Sequence, residues 1–130
     1  MSDNHDDHHN PGFIKKYIFS TDHKMIGLQY GLTALCFLLF GFYLMMVMRW
    51  SIAYPNEPLP AWMSWLFTED WKAQWLTEGK LPGQTYNMFG AMHGTIMVFL
   101  GIVPLGFGAF GNYVTPLQIG APDMAFPKLN

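Results

Sequence analysis

The stretch Tyr86–Val103 reads YNMFGAMHGTIMVFLGIV, an apolar run that holds a single histidine, His93. A polar side chain in hydrocarbon costs free energy unless a partner satisfies it. The stretch therefore predicts either a partner for this imidazole or a position outside a membrane. From Leu81 to Pro122 the only titratable side chains are His93, Tyr86 and Tyr113, which favours a membrane helix.

A second charge-free run precedes it. Met25–Met48 contains 24 residues without Asp, Glu, Lys, Arg or His. As a helix this run would extend about 36 Å, enough to cross a hydrocarbon core of about 30 Å. It is too long, and its preceding residues are too acidic, for a cleaved signal peptide. The sequence thus predicts an all-α integral membrane protein with two transmembrane helices.

The charges outside these runs predict an orientation. Lys15, Lys16 and Lys24 precede the first helix and Arg49 follows it, which favours a cytoplasmic amino terminus. We expect the protein in the inner membrane of a bacterium, or in the membrane of an organelle that synthesises it. A net charge of −2 gives no indication of nucleic-acid binding. We divide the chain into a disordered polar tail (1–11), a cytoplasmic lead-in (12–24), transmembrane helix 1 (25–49), an outer, periplasmic loop (50–85), transmembrane helix 2 (86–114) and a cytoplasmic loop (115–130).

The polar tail contains three histidines among aspartates, His5, His8 and His9. This composition allows metal binding, but a short acidic tail cannot bury enough apolar surface to become ordered. We therefore favour a solvated, disordered terminus.

The outer loop contains all five tryptophans of the chain, from Trp50 to Trp75. Thr68, Glu69 and Asp70 resemble a helix cap with acids in the first turn, and WKAQWL follows. Trp71 and Trp75 are four residues apart, so they share a helical face. Since tryptophan favours the headgroup level, we expect a short helix on the outer membrane surface. A surface that docks a partner protein is the alternative.

The second helix is rich in small residues. Gly90 and Gly94 allow a neighbouring helix, or a flat cofactor, to approach the backbone closely. Pro104 predicts a kink. After the helix, Pro116, Pro122 and Pro127 argue against a long regular helix.

The surroundings of His93 suggest a ligand. Gly90 and Gly94 clear space beside it, and aromatic and methionine side chains form an apolar wall. Such a wall suits a porphyrin with neutral imidazole as axial ligand, whereas zinc requires more ligands than this helix offers. An interhelical hydrogen bond is the structural alternative.

Three segments and one basic residue resemble subunit I of the haem–copper terminal oxidases. The resemblance covers roughly residues 19–49 and 86–130, and it is nearly verbatim in the last block. The segments are FSTDHKMIG (Phe19–Gly27), MHGTIMVF (Met92–Phe99) and FGNYVTPLQIGAPDMAFPKLN (Phe110–Asn130), and the basic residue is Arg49.

The resemblance implies a role for five residues. His93 matches an axial ligand of the low-spin haem, expected to be haem A, and Arg49 matches the arginine that hydrogen-bonds its formyl group. Asp123 matches the acid at the mouth of the proton-uptake route called the D-pathway. Asn112 and Asn130 match the asparagines just inside that route, where amides can hold a water chain.

The resemblance also implies partners. A member of this family has about twelve helices and reduces oxygen to water while pumping protons. We therefore expect an amino-terminal fragment that is not catalytic alone. The high-spin haem and copper B would be bound by later helices, and the partners would be the remainder of subunit I, subunits II and III, membrane lipid, and cytochrome c as electron donor.

Two other functions remain open. Many quinol oxidases of the same superfamily carry an arginine, an aspartate and a histidine for the quinone. The matching positions here are Phe40, Leu44 and Thr85, which cannot bind it in that way. A two-helix membrane anchor without cofactor is the other alternative.

Overall fold

Two long helices account for most of the computed structural model, which describes residues 17–126 and 128–130. Helix α1 spans His23–Ala53, and helix α4 spans Gly83–Ile119. Two short helices lie between them, α2 at Ala61–Ser64 and α3 at Glu69–Trp75. The described residues form no strand beyond one isolated bridge between Thr77 and Lys80. The predicted all-α class is confirmed.

Both long helices are long and apolar enough to cross a membrane. Helix α1 has 31 residues with a mean hydropathy of 2.2, and α4 has 37 residues with a mean hydropathy of 1.8. Each extends beyond the predicted range, 25–49 for the first and 86–114 for the second. Helix α1 begins earlier because Asp22 caps it, its Oδ1 accepting a hydrogen bond of 3.2 Å from the Lys24 N–H.

The end of α4 differs from the sequence-based expectation. Pro116 lies inside the helix, which continues to Ile119, so the expectation that proline interrupts the chain at this point is wrong for Pro116. The helix stops at Gly120, whose φ of 71° is left-handed and whose N–H bonds to the Pro116 carbonyl. Glycine adopts this conformation without a Cβ clash, and the geometry is a common helix end.

The middle of α4 is wider than an α-helix. Ile96–Ile102 and Pro104–Gly111 are π-helical, and Val103 joins them. The Val103 N–H bonds to the Val98 carbonyl, five residues back. Pro104 has no N–H to place in the helical ladder, and π segments absorb such an interruption. Pro104 thus changes the hydrogen-bond register of α4, and the kink predicted there stays a prediction.

The two long helices run antiparallel along a seam of small residues. A Cβ added at Gly101 would lie 2.6 Å from Leu38, and one added at Gly108 would lie 2.7 Å from Tyr30. Both contacts are closer than a real Cβ tolerates, so glycine is what lets α4 approach α1 here. The seam places the start of α1 and the end of α4 at the same end of this hairpin, which we call the open end.

At the other end, which we call the loop end, residues 54–82 fold over the hairpin. The Tyr43 hydroxyl donates to the Met63 carbonyl. The Phe67 ring stacks on Phe89 with centroids 6.1 Å apart, and Trp75 contacts the same ring. The main apolar core lies here, and its buried members are Leu44, Val47, Met48, Leu59, Met63, Phe67, Leu76 and Phe89.

The short helix predicted from TEDWKAQWL is confirmed as α3. Thr68 occupies the N-cap position without a side-chain hydrogen bond, and Glu69 pairs with Lys72 at 2.7 Å. Trp75 packs inward, whereas Trp71 is 56% exposed. The location of this helix on a membrane surface stays a prediction.

Several sequence-based predictions lie outside the described residues. These are the disordered tail 1–11 with His5, His8 and His9, the residues Lys15 and Lys16 of the lead-in, and Pro127.

Candidate functional site

The imidazole that the sequence singled out has its partner on the other helix. His93 lies on α4, and its Nδ1 is 2.8 Å from the carbonyl oxygen of Gly41 on α1. The ring is half-buried in the seam. A carbonyl can only accept a hydrogen bond, so Nδ1 must carry the proton, and Nε2 is then the nitrogen with a free lone pair. In the neutral imidazole, this arrangement leaves Nε2 as the nitrogen that can bind a ligand.

Gly41 makes this bond possible. A Cβ at Gly41 would lie 2.6 Å from the sulfur of Met97, one turn after His93 on α4. The bare backbone lets Met97 lie against α1 and brings the imidazole to the Gly41 carbonyl. Gly41 does not stand out in the sequence, because the role of this glycine depends on which residues of the two helices meet.

The glycines around His93 are loosely surrounded. A Cβ at Gly94 would meet nothing within 4 Å, and one at Gly90 would meet only the Met48 sulfur of α1, at 3.8 Å. These glycines are therefore not required for close packing of α1 and α4. Gly94 is exposed, so the backbone next to His93 is accessible there, a shape that fits the edge of a flat ring.

Arg49 lies eight residues after Gly41 on α1, about 12 Å further toward the loop end. It is exposed, and its guanidinium has no hydrogen bond or ion pair with any residue of 17–126 or 128–130. Its five N–H donors are therefore available to another group. An exposed arginine near a helix end also extends toward the membrane interface without needing a partner.

A second polar group lies at the open end, far from His93. Asn112 is 4% exposed, and its Nδ2 donates to the Gly108 carbonyl at 2.7 Å. Its Oδ1 accepts from Asn130 Nδ2 at 2.5 Å, and the Tyr30 hydroxyl donates to the Asn130 carbonyl at 3.3 Å. The structure thus brings together two asparagines that are 18 positions apart in sequence.

These amides line a cleft of about 400 Å³ between the open ends of α1 and α4. Thr115 and Met124 contribute to its walls. Asp123 precedes Met124, is exposed, and accepts a hydrogen bond of 2.8 Å from the Met124 N–H. An exposed carboxylate therefore lies one residue from a cleft lined by amides and hydroxyls.

The same carboxylate has neighbours that the sequence analysis did not assign to the site. Asp22 and His23, at the start of α1, each offer a ligand atom that lies within 4.8 Å of one from Asp123. The FSTDHKMIG segment contains both residues, but their proximity to Asp123 depends on the antiparallel pairing of the helices.

A second cavity lies at the loop end and is mostly apolar. Its volume is about 250 Å³. Phe40 and Leu44 of α1 form one wall, Phe89 and Met92 of α4 another, and Trp71 and Trp75 are among the loop residues that close it. The buried Thr85 lies outside its lining. No charged residue lines this cavity in the described part of the chain.

Comparison of the sequence with protein families and with curated proteins points to one family. The family model described as cytochrome c and quinol oxidase polypeptide I matches residues 25–130. The cytochrome c oxidase subunit 1 of Thermostichus vulcanus is 40% identical over 114 residues, which are 88% of this chain and 17% of that protein. Its counterpart from Synechocystis sp. is 37% identical over 114 residues, with the same coverage. The chain thus spans about a sixth of the length of these curated relatives.

Proposed function

Because the chain belongs to the cytochrome c and quinol oxidase polypeptide I family, we propose that it acts within the catalytic subunit of a proton-pumping cytochrome c oxidase, which reduces O2 to water. In that complex it would supply one axial ligand of the low-spin haem and the entrance of a proton-uptake route. The observation that carries the proposal is the Nδ1–Gly41 bond of His93, which joins the imidazole to α1 through Nδ1 and leaves Nε2 for a ligand.

His93 has the properties of an axial haem ligand. A metal-binding histidine usually donates its other ring N–H to a carbonyl or carboxylate, which fixes the tautomer and raises the basicity of the ligand nitrogen. His93 makes such a bond with Gly41. When bound, the haem would supply reversible one-electron transfer. The chain's contribution is to anchor the imidazole through Nδ1, so that Nε2 stays available to the iron.

We assign Arg49 to the formyl group of that haem, expected to be haem A. Its guanidinium has no partner among the described residues, so its donors need not be released from an existing ion pair. A fixed positive charge beside a redox centre favours the reduced state, because reduction adds an electron near that charge. Arg49 would therefore raise the haem potential.

We assign Asp123 to proton entry and Asn112 and Asn130 to the water chain behind it. Asp123 is exposed, so its carboxylate can exchange protons with the aqueous side. Each amide can both donate and accept, so it can hold water without trapping a proton. The cleft of about 400 Å³ beside Asp123 has room for water. The alternative role for Asp123, capping a following helix, is compatible with this one.

The electron donor is proposed to be cytochrome c and not a quinol. Phe40 and Leu44 replace the polar side chains that bind quinone in many quinol oxidases, and they line an apolar cavity without a charged residue in the described chain. The relatives at 40% and 37% identity are both cytochrome c oxidase subunits.

The proposed location is a bacterial inner membrane with the amino terminus in the cytoplasm. The start of α1 and Asp123 lie at the same end of the hairpin, so both would face the cytoplasm. The partners would be the rest of a subunit of about twelve helices, subunits II and III, membrane lipid and cytochrome c. The high-spin haem and copper B would be held by the rest of subunit I.

The assignment of His93 is tested in the assembled complex. His93→Ala removes the lone pair, so the low-spin haem absorption band should disappear while the complex still assembles. Met92→Leu, which alters the half-exposed neighbour on α4 and keeps the imidazole, is the matched control and should retain the band. An unchanged band in His93→Ala would overturn the assignment.

A further inference from the structure

We propose that the cavity at the loop end binds one acyl chain of a membrane phospholipid, from the leaflet on that side of the bilayer. The cavity has a volume of about 250 Å³ and lies between the two long helices and the loop that folds over them. Phe40 and Leu44 of α1 form one wall, and Phe89 and Met92 of α4 form another. Binding of the chain requires neither the haem nor the proton route.

The lining of the cavity offers little to water. No charged residue of the described chain lines it. Of its polar side chains, Tyr43 already donates its hydroxyl to the Met63 carbonyl, and Gln74 is exposed. A buried water needs about two to four polar partners, and the phenylalanine, leucine and methionine side chains of the inner wall supply none. An empty cavity would leave those side chains without contacts on one side, so an apolar occupant is favoured.

The depth of the cavity matches the acyl chains of a bilayer. Helix α1 has 31 residues, or about 46 Å. Centred on a hydrocarbon core of about 30 Å, it projects about 8 Å on each side. Leu44 precedes Ala53, the last residue of α1, by nine positions, which is about 14 Å. The inner wall therefore lies about 6 Å inside the hydrocarbon, below the level of the headgroups.

The opening of the cavity continues the apolar outer surface of the helices. Met88 and Met92 are both exposed and lie four residues apart, so they share a face of α4 that leads to the cavity. Leu66 and Trp71, on the loop side of the opening, are also exposed. Tryptophan favours the boundary between headgroups and hydrocarbon. A lipid beside α4 can therefore insert one chain below Trp71 while its headgroup stays at the surface.

An acyl chain also fits the cavity by size and by supply. A cavity of about 150 Å³ lined by aliphatic and aromatic side chains binds benzene, so this larger cavity has room for a longer apolar segment. A flexible chain can follow an irregular wall, and acyl chains surround both helices in the membrane. The occupant would contact Phe40 and Met92, which directly precede Gly41 and His93. Under the proposed function, it would pack beside the bond that anchors the imidazole.

The test is photolabelling of the assembled complex in vesicles of phosphatidylethanolamine and phosphatidylglycerol. The probe is a phosphatidylcholine with a diazirine in the middle of one acyl chain, and peptide mass spectrometry identifies the labelled positions. Leu44 and Phe89 are 2% and 4% exposed, so bulk lipid cannot reach them. We expect adducts on these two residues. Adducts on the outer surface of the helices with none on Leu44 or Phe89 would overturn the proposal.

Two neighbouring residues of α3 provide a matched pair of variants. Gln74 lines the cavity and Ala73 does not, and both are exposed. In Gln74→Trp the indole would occupy the opening and remove on the order of ten contacts with the chain, which should lower the yield of both adducts about tenfold. Ala73→Trp should be labelled as the parent is. Leu66→Trp, at the same opening, takes the place of Gln74→Trp if that variant does not assemble.

The variants and a competition experiment decide the outcome. Equal adduct yields on Leu44 and Phe89 in the variants at the opening and in Ala73→Trp would overturn the site. Excess decylubiquinone should leave the adducts unchanged. Loss of the adducts on its addition would assign the cavity to a quinone and would overturn the assignment to a phospholipid chain.

Discussion

The Nδ1 atom of His93 lies 2.8 Å from the carbonyl oxygen of Gly41, and this bond joins the two long helices in the middle of their seam. It answers the question that one imidazole in an apolar helix raises, because the ring has a partner on its own chain. It also decides which ring nitrogen is available to a ligand. The same contact therefore gives the half-buried imidazole a hydrogen-bond partner and leaves Nε2 for a ligand.

Gly41 is predicted to be intolerant of a side chain. In Gly41→Val the added carbons would meet the Met97 sulfur, at 2.6 Å for the Cβ alone. Overpacking of this kind costs about 1–3 kcal/mol and would move α1 away from the imidazole. We expect a lower Tm of the complex and a shifted or weakened low-spin haem band.

Two companion variants make this prediction specific. Gly106→Ala is the control, since a Cβ there meets nothing within 4 Å. The double variant Gly41→Val with Met97→Ala should recover part of the lost stability, because it removes the contacted sulfur. A Gly41→Val complex with normal Tm and spectrum would show that the seam can adapt and that the bond is dispensable.

Arg49 is predicted to tune the haem. Arg49→Met keeps the length of the side chain and removes the charge, so the low-spin band should move to the blue and the midpoint potential should fall. Arg49→Lys keeps the charge without the planar pair of donors. Its band position and midpoint potential should lie between those of the parent and those of Arg49→Met. Redox titration followed by visible spectroscopy measures both effects. If neither quantity changes in Arg49→Met, Arg49 only anchors the helix at the interface.

Asp123 is predicted to collect protons. Asp123→Asn keeps a good capping residue and removes the charge, so turnover should slow and proton pumping should be lost while haem spectra stay unchanged. Asp70→Asn, at the loop end, should behave as the parent. The measurement is oxygen consumption with proton release from reconstituted vesicles. Normal pumping in Asp123→Asn would exclude Asp123 from the route.

Asn112 is predicted to hold the segment after α4 in place. Asn112→Ala removes the 2.7 Å bond to Gly108 and the 2.5 Å bond from Asn130. The loss of bonds at a residue only 4% exposed should cost about 1–3 kcal/mol. We expect a lower Tm and slower proton uptake, whereas the exposed Gln118→Ala should change neither. A normal Tm with normal uptake would contradict both roles.

The orientation of the hairpin is predicted to place the loop outside and Asp123 inside. An impermeant amine reagent added to right-side-out vesicles should modify Lys80 in the loop and spare Lys24 at the start of α1. Inside-out vesicles should show the reverse, which serves as the control for reagent access. Modification of Lys24 in right-side-out vesicles would reverse the topology and would place Asp123 on the wrong side for proton uptake from the cytoplasm.

The existence of two long helices could be predicted from sequence, because an absence of charge over 24 residues is a local property that few other structures allow. Their ends could not be predicted as well. Pro116 predicts an interruption from its own geometry, yet the helix continues through it to Ile119. The helix end depends on Gly120, whose left-handed conformation a sequence does not display.

The partners of the site residues were harder to predict than the residues themselves. His93 stands out because it is polar in an apolar run, but Gly41 resembles every other glycine of α1 until the register of the two helices is known. In the same way, the sequence of Gly90 and Gly94 allows either packing or a cofactor, and only the structure shows that a Cβ at Gly94 would meet nothing within 4 Å and one at Gly90 only the Met48 sulfur. Contacts between distant residues carry this information, and no local pattern encodes them.

The antiparallel seam has a consequence for biosynthesis. Its contacts form in order from the loop end to the open end, because α4 leaves the ribosome with Gly83 first and Ile119 last. His93 can meet Gly41 once the first half of α4 has been inserted, before Asn112 has entered the membrane. We therefore expect translation to fix the direction of the imidazole early, so that delivery of a cofactor need not wait for the open end to be complete.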